Sequence, residues 1–169
     1  MQDDEARLRL LSKLDVIVIP MYNVGGALNR NCCTRTNQDG PEEYGFRGNA
    51  RNLDLNRDFI KMDSQIAKAV VQFFHVINTD VFIDTHTSNG ADYPYAMTLI
   101  TTQADKAGPV IGPFLRDIME PSIFESMKQA GETIIHYVNT RNQTPESGII
   151  EFLESPRYST GFTTLFGAL

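Results

Sequence analysis

The chain has 169 residues, of which 41% are hydrophobic and 21% are charged, and this is the composition of a soluble globular protein. Its length predicts one domain with a core of its own. The formal net charge of −6 and the lack of a basic stripe argue against a nucleic-acid partner. The longest apolar run, at residues 16–19, is too short to span a membrane, and the acidic N-terminus shows no secretory signal. Localisation stays open, because a longer protein containing this chain can be secreted or periplasmic.

Helical and strand patterns alternate along the chain. Residues 4–14 predict an amphipathic helix, and the β-branched run 15–20 predicts a strand buried on both faces. Residues 64–78 predict a strong helix capped by Asp63 or Ser64. The remaining predicted elements are strands at 81–86, 96–102, 133–139 and 148–153, two helical pieces over 109–130 broken at Pro121 and stopped at Gly131, and a helix from Ser159 onward without a stop signal.

This order of elements predicts an α/β domain with a mixed, largely parallel sheet flanked by helices. The chain opens with a helix that leads into a buried strand, and it closes in the middle of an element. We therefore expect residues 1–169 to be a single domain that is truncated at both ends. A complete fold that starts with a helix is the alternative.

The segment 21–53 has no hydrophobic period and is rich in glycine and arginine. Loops of this length inside a compact domain are uncommon and are usually functional or disordered. Positive charges in an otherwise acidic chain favour a site for an anion, and they come from Arg30, Arg35, Arg47 and Arg51. The adjacent Cys32 and Cys33 are predicted to be free thiols, because neighbouring residues can be bridged only with a strained backbone.

The stretch 52–59 places an amide and a guanidinium side by side, at Asn56 and Arg57. This pair suits a carboxylate, because the guanidinium fork meets both oxygens and the amide orients them. A scaffold role is an equal alternative at this point. Asn next to Asp often builds turns, and Arg57 can pair with Asp54 or Asp58.

His86 stands at the carboxyl end of a predicted strand, which is where ligands gather in open α/β sheets. It can be a metal ligand, a general base or a structural residue, and position alone favours the structural reading, since ligands come in clusters. His75 and His136 are interpreted as structural or surface residues. The chain has no H-x-x-E and no H-x-x-x-H, so local motifs do not assemble a zinc site. Tyr158 is either a packed side chain or a contact over a pocket.

Four motifs lie in order between residues 19 and 90, and a further stretch at 156–162 extends the pattern over nearly the whole chain. The four are I-P-M-Y-N-V-G-G-A at 19–27, R-T-N-Q at 35–38, D-L-N-R-D-F at 54–59 and D-T-H-T-S-N-G at 84–90. Together they resemble the carboxypeptidase A-like zinc metallopeptidases, and P-R-Y-S-T-G-F at 156–162 is similar to one bacterial branch. The resemblance implies a zinc carboxypeptidase-like fold, a zinc cofactor and removal of C-terminal residues from peptides. One departure is the turn that reads N-P-D-G in the family and N-V-G-G here.

The resemblance also implies roles for single residues. Asn56 and Arg57 match the pair that grips the terminal carboxylate of the substrate, and His86 matches the third zinc ligand. Arg35 matches the arginine that polarises the scissile carbonyl, with Arg47 as the alternative, and a substrate-covering tyrosine matches Tyr158. The family's H-x-x-E and its general-base Glu have no counterpart in this chain, so we expect a central fragment with little bound zinc and little activity.

Three functions follow as hypotheses. The first is a zinc carboxypeptidase that cleaves C-terminal peptide bonds, of which this chain is an incomplete form. The second is a binding module that captures a peptide C-terminus or another carboxylate without metal. The third is an amidohydrolase for small acylated amino acids. Unpaired strands leave open sheet edges and exposed core, so we also expect a homo-oligomer.

Overall fold

The computed structural model describes residues 2–35, 38, 40–88 and 90–169. The helices predicted at 4–14 and 64–78 are confirmed. None of the described helices is long and apolar enough to cross a membrane. The α-helices are α1 (Gln2–Leu11), α2 (Val24–Leu28), α3 (Gln65–Ile77), α4 (Gly108–Phe114), α5 (Glu120–Gln129) and α6 (Ser159–Thr163), and 3-10 turns lie at Leu55–Arg57, Arg141–Gln143, Pro145–Ser147 and Thr164–Phe166.

The strands are short and form two small sheets. In the first, β1 (Met97–Leu99) pairs in parallel with β2 (Ile134–His136). In the second, β3 (Val138–Thr140) pairs antiparallel with β4 (Ile149–Glu151). The structure is therefore a mixed α/β arrangement, as predicted. A single mixed, largely parallel sheet, as predicted, is not found among the described residues, where one two-stranded sheet is parallel and the other is antiparallel.

The strands predicted at 15–20 and 81–86 are absent from these sheets. Residues 16–19 are between 47% and 72% exposed, and Ile83 is 80% exposed. Two hydrogen bonds join the second segment to the chain's end, from Phe82 N–H to the Leu169 carbonyl at 2.8 Å and from Leu169 N–H to the Asp80 carbonyl at 3.0 Å. A strand needs a neighbour that pairs with its backbone, and no described strand lies beside either segment.

The helical run 108–129 is broken at another place than predicted. A π-helical segment, Leu115–Met119, separates α4 from α5. Pro121 lies in the first turn of α5, where the backbone N–H is not needed for an intrahelical hydrogen bond. The stop at Gly131 is confirmed, because this residue has the left-handed φ of +84° that ends a helix.

The chain's end has a stop that the sequence reading missed. The helix that begins at Ser159 ends at Thr163 and tightens into a 3-10 turn. Gly167 follows with a left-handed φ of +86°. The prediction of a helix running on to residue 169 is therefore wrong, since a glycine in this conformation ends the turn.

Cys32 and Cys33 form a disulfide, so the prediction of two free thiols is wrong. Their Cα atoms lie 3.7 Å apart, which is the ordinary spacing of consecutive residues rather than that of most disulfides. Residues 32–34 belong to no helix or strand, so the disulfide interrupts no regular backbone hydrogen bonding. The Cys33 N–H donates to the side-chain oxygen Asn31 Oδ1 at 3.0 Å.

A small aromatic core joins segments that are far apart in sequence. Phe59, Val71 and Phe162 are buried and in contact, and the Phe59 and Phe162 ring centroids lie 5.8 Å apart. Tyr22, Met62 and Val70 pack around them. This core holds the stretch after Asn56 and Arg57 against α3 and α6, and it thereby brings the start of α6 to the predicted site.

Candidate functional site

The turn that carries Asn56 and Arg57 is fixed at both ends. Asp54 caps it, because its Oδ1 accepts a hydrogen bond from the Asn56 N–H at 3.0 Å. Leu55 and Phe59 are 2% and 3% exposed and anchor the stretch in the core. The apolar residues thus point inward, and the Asn56 and Arg57 side chains are left half-buried at the surface.

The Asp58 carboxylate accepts hydrogen bonds from the backbone just before α3. Its Oδ1 accepts from the Asp63 N–H at 2.8 Å, and its Oδ2 accepts from the Ser64 N–H at 2.9 Å, just before α3. Burial favours the neutral carboxyl, but hydrogen bonds from Ser64 and Asp63 outweigh burial and hold the pKa of Asp58 below its ordinary value. The alternative pairing of Arg57 with Asp58 is therefore not adopted.

Arg57 is held by an aromatic ring rather than by an acid. Its guanidinium carbon lies 4.4 Å from the centroid of the Tyr158 ring, within the range of a cation–π contact. Its Nη1 also donates to the Asn56 carbonyl at 2.7 Å. Asp54, the other candidate partner, bonds Arg47 instead. Within the part of the chain that the structure describes, no carboxylate neutralises Arg57.

The Asn56 amide is oriented from the other side of the core. The Ser159 N–H, at the start of α6, donates to Asn56 Oδ1 at 3.3 Å. The Nδ2 group of the same amide then faces away from Oδ1, and it donates to no described residue. Asn56 and Arg57 therefore both keep N–H donors that no described residue accepts from, and the Tyr158 ring lies over the Arg57 guanidinium. The substrate-covering role of Tyr158 stays a prediction.

Ser159 also reaches the His86 segment. Its hydroxyl donates to Asp84 Oδ2. His86 Nε2 lies 2.8 Å from the same carboxylate oxygen. Ser159 and His86 thus share one acceptor and do not contact each other in a nucleophile–base pair. The arrangement is not a Ser–His–Asp triad, in which the histidine lies between the other two groups.

The Asp84–His86 pair is electrostatically coupled. The hydrogen bond to Asp84 raises the pKa of His86, against burial and the nearby charges of Arg47 and Arg57, which lower it. Burial raises the pKa of Asp84, but hydrogen bonds from His86 and Ser159 outweigh it and bring the pKa below its ordinary value. Both groups are therefore charged over a wider pH range than they would be alone.

The side chains around His86 do not fit a zinc centre. A catalytic zinc takes three protein ligands, such as two His and one Glu. Among the described residues, no group of three or more His, Cys, Asp or Glu is placed to hold a metal ion. His86 Nε2 lies 2.8 Å from one carboxylate oxygen, Asp84 Oδ2.

Arg35 and Arg47 lie together in an open cleft of about 530 Å³. Arg47 Nε donates to Asp54 Oδ2 at 2.7 Å, which joins the cleft to the turn that carries Asn56. The Tyr44 hydroxyl donates to the Arg35 carbonyl at 3.2 Å and fixes the backbone there. Of the two arginines, Arg47 is the one whose charge acts on His86. Which of them would polarise a substrate carbonyl stays a prediction.

Sequence reasoning gave no role to three residues of this site: Tyr22, Asp84 and Ser159. A contact between Asp84 and His86 could have been predicted, because residues two apart in an extended segment lie on the same side. No such signal existed for Ser159, since its contacts lie 75 and 103 residues away. The Tyr22 hydroxyl is buried without a described partner, and burial, with Asp58 and Asp84 nearby, raises the pKa of this phenol.

Comparison of the chain with protein-family models, with curated proteins and with solved structures finds no match.

Proposed function

We propose that Asn56 and Arg57 form a clamp for the C-terminal carboxylate of a peptide, within a carboxypeptidase-type hydrolase. The observation that supports it most directly is the state of Arg57, which stacks on Tyr158 and has no acidic partner among the described residues. The two acids nearest to it in sequence are both occupied, Asp54 by Arg47 and Asp58 by the backbone before α3. A ligand carboxylate is the group that such an arrangement lacks.

The clamp has the donors that a carboxylate needs. The guanidinium fork can give two parallel N–H donors to the two oxygens, and Asn56 Nδ2 can add a third. Tyr158 holds the guanidinium plane and Ser159 holds the amide, so little side-chain freedom is lost on binding. Hydrogen bonds to a charged group in such a setting contribute roughly 1.5–3 kcal/mol each.

Cleavage of the C-terminal peptide bond by a zinc enzyme of carboxypeptidase-like fold is the further part of this proposal, and it rests on the motif resemblance. The resemblance assigns His86 as one zinc ligand, but the described residues around it do not complete a zinc site. We therefore derive no hydrolytic step. Bound zinc measured by metal analysis, together with peptide hydrolysis that is lost in His86→Ala, would support this part.

A carboxylate-binding module without hydrolysis is the second candidate. It is favoured by the Asp84–His86 pair, in which the histidine Nε2 lies 2.8 Å from a carboxylate oxygen rather than near further ligands. Incubation with peptides and with small N-acylated amino acids, in the presence of added zinc, separates the candidates. Release of a C-terminal residue identifies the carboxypeptidase, cleavage of only the small compounds identifies an amidohydrolase, and binding without cleavage identifies the module.

The clamp is tested by binding of one peptide in two forms, with a free and with an amidated C-terminus. We expect the free form to bind at least about ten-fold more tightly, and Arg57→Gln to remove this difference. Arg157→Gln is the matched control, because this exposed neighbour of Tyr158 uses only its backbone N–H in a described contact. Equal affinity of the two forms for the unchanged protein would refute the clamp.

A further inference from the structure

The 530 Å³ cleft beside the clamp concentrates positive charge in an acidic protein. Three of its lining side chains are arginines, and Glu43 is the one acid among the described residues that line it. A cleft lined by charge of one sign raises the local concentration of the opposite ion. The arginines are Arg30, Arg35 and Arg47, and the apolar wall is made by Met21, Ala27 and Phe46.

These arginines are incompletely neutralised. Arg30 Nη2 donates at 3.3 Å to the Glu43 carbonyl, a backbone group that carries no net charge. The Arg35 side chain forms no hydrogen bond or ion pair with any described residue. Arg47 has an acidic partner, Asp54, at its Nε atom. The cleft therefore keeps guanidinium N–H donors that no described residue accepts from, and these can serve an anion.

The cleft is built on an ordered backbone. Asn31 and Tyr44 exchange two backbone hydrogen bonds, at 3.0 and 3.1 Å, which bring the segment after Arg30 next to the segment before Arg47. The Asn23 side chain donates to the Arg47 carbonyl at 3.0 Å and accepts from the Gly26 N–H at 2.9 Å. The arginine side chains therefore leave from fixed backbone positions and point to a common space.

Cleft and clamp are joined by one carboxylate. Asp54 Oδ2 accepts from Arg47 at the edge of the cleft, and Asp54 Oδ1 accepts from the Asn56 N–H in the clamp. His86 lies close enough to both sides that the charges of Arg47 and Arg57 each affect it. A peptide held at its C-terminus by the clamp therefore has the cleft within reach of its preceding residues.

We propose that the cleft binds an acidic side chain of the same peptide, so that the preferred ligands are peptides with Glu or Asp shortly before their C-terminal residue. The inference rests on the proposed function, because it names the class of peptide that the clamp receives. The free guanidinium forks suit a carboxylate, and the apolar wall suits the methylene groups that carry it. A phosphorylated side chain is the competing source of negative charge, and the test separates the two.

The test uses short peptides in which Glu, Gln or phosphoserine occupies each of the three positions before the C-terminal residue, with the C-terminus free or amidated. For at least one position we expect Glu to bind about three- to ten-fold more tightly than Gln, in the range of a partly exposed charge-assisted bond. Arg30→Gln should remove most of this preference and leave the affinity for the Gln peptide unchanged. Arg51→Gln, an exposed arginine outside the cleft lining, removes the same charge and should keep the preference.

The outcomes test the cleft, its preference for acidic side chains and the clamp separately. Equal binding of Glu and Gln peptides at every position overturns the inference, as does an equal loss of preference in Arg30→Gln and Arg51→Gln. Tighter binding of phosphoserine than of Glu overturns the assignment to acidic side chains. If amidation still weakens binding in these cases, the clamp stands and the cleft alone is refuted. If amidation has no effect, the proposed function fails, and the assignment of both sites to one peptide fails with it.

Discussion

Two regions of this chain differ in how they are held. The clamp turn at 54–59 and the start of α6 are far apart in sequence, yet they meet over the Phe59–Phe162 core and share hydrogen bonds. The segments 14–19 and 81–83 are rich in β-branched residues, and most of these side chains are exposed. The first region is held by a buried core and by hydrogen bonds, whereas the second is apolar and pairs with no described strand.

The difference shows what each kind of segment needs. A capped turn can be fixed by its own Asp and by two buried aromatic rings, because it needs only a few hydrogen bonds and contacts, even where one ring comes from a distant part of the chain. A buried strand needs two neighbours along its whole length before its backbone groups are paired. The turn at 54–59 therefore forms in a structure whose described sheets have two strands each. Four predictions test this comparison, beginning with the largest effect.

Phe162→Ala should lower the free energy of unfolding by about 3–5 kcal/mol, because it removes a buried ring from the core below the clamp. Leu165→Ala is the matched control. Leu165 is 60% exposed three residues further on, so its loss should stay within about 0.5 kcal/mol. Denaturant unfolding of both variants measures the effect. Similar values for the two would show that this aromatic cluster is not what holds the region.

Ser159→Ala should lower the free energy of unfolding by about 1–2 kcal/mol. Ser159 is only 4% exposed, and its hydroxyl donates the hydrogen bond that links α6 to Asp84. The Ser159 backbone N–H still reaches Asn56, so affinity for a peptide carboxylate should change little. Thr160→Ala is the control, since no described residue bonds its hydroxyl. Unfolding and peptide binding are measured together. An equal stability loss in both variants would contradict a specific role for the Ser159–Asp84 bond.

Self-association through the exposed apolar segments stays a prediction, and the variant Ile83→Lys tests it. Ile83 is 80% exposed, so a charge there leaves the monomer intact while it opposes burial against a second copy. We expect the dissociation constant, measured by sedimentation, to rise about ten-fold, which corresponds to about 1.4 kcal/mol. Val76→Lys, at an 82% exposed position on α3, is the control. A protein that is monomeric at all concentrations would refute the prediction.

Asp84→Asn should lower the pKa of His86, because it removes the hydrogen-bonded charge that raises it. The raised pKa means that His86 stabilises the fold fully below its ordinary value of 6.5 and that this contribution is lost as pH rises through the folded value. The Asp84 contribution is present above the ordinary value of 3.8 and is lost as pH falls through the lowered one.

The net effect of this pair on stability should be at most about 1 kcal/mol, because half of the His86 side chain is exposed and solvent screens the charges. An NMR titration of the His86 ring in the unchanged protein and in Asp84→Asn measures the shift. Asp92→Asn, an exposed acid without a described partner, is the control. An unchanged His86 titration in Asp84→Asn would contradict the coupling.

Local signals were sufficient where the physical cause was local. Ser64 caps α3 through its own hydroxyl, and Gly131 ends α5 with a left-handed backbone, so both ends could be predicted. The chemistry of the Asn56–Arg57 pair predicted a carboxylate site, with a scaffold role as an equal alternative. Local signals could not show that Asp54 bonds Arg47 and that Asp58 bonds the backbone before α3, because both contacts depend on the tertiary structure.

The sequence by itself determined the helices near residues 4–14 and 64–78, the stop at Gly131 and the chemistry of the polar groups, because side-chain pattern and backbone preference act over a few residues. Tertiary structure decided which donors remain free. It stacked Arg57 on Tyr158, linked Asn56 and Asp84 through Ser159, and placed three loop arginines in one cleft. It also left residues 14–19 without sheet partners, since a strand exists only where other parts of the chain pair with it.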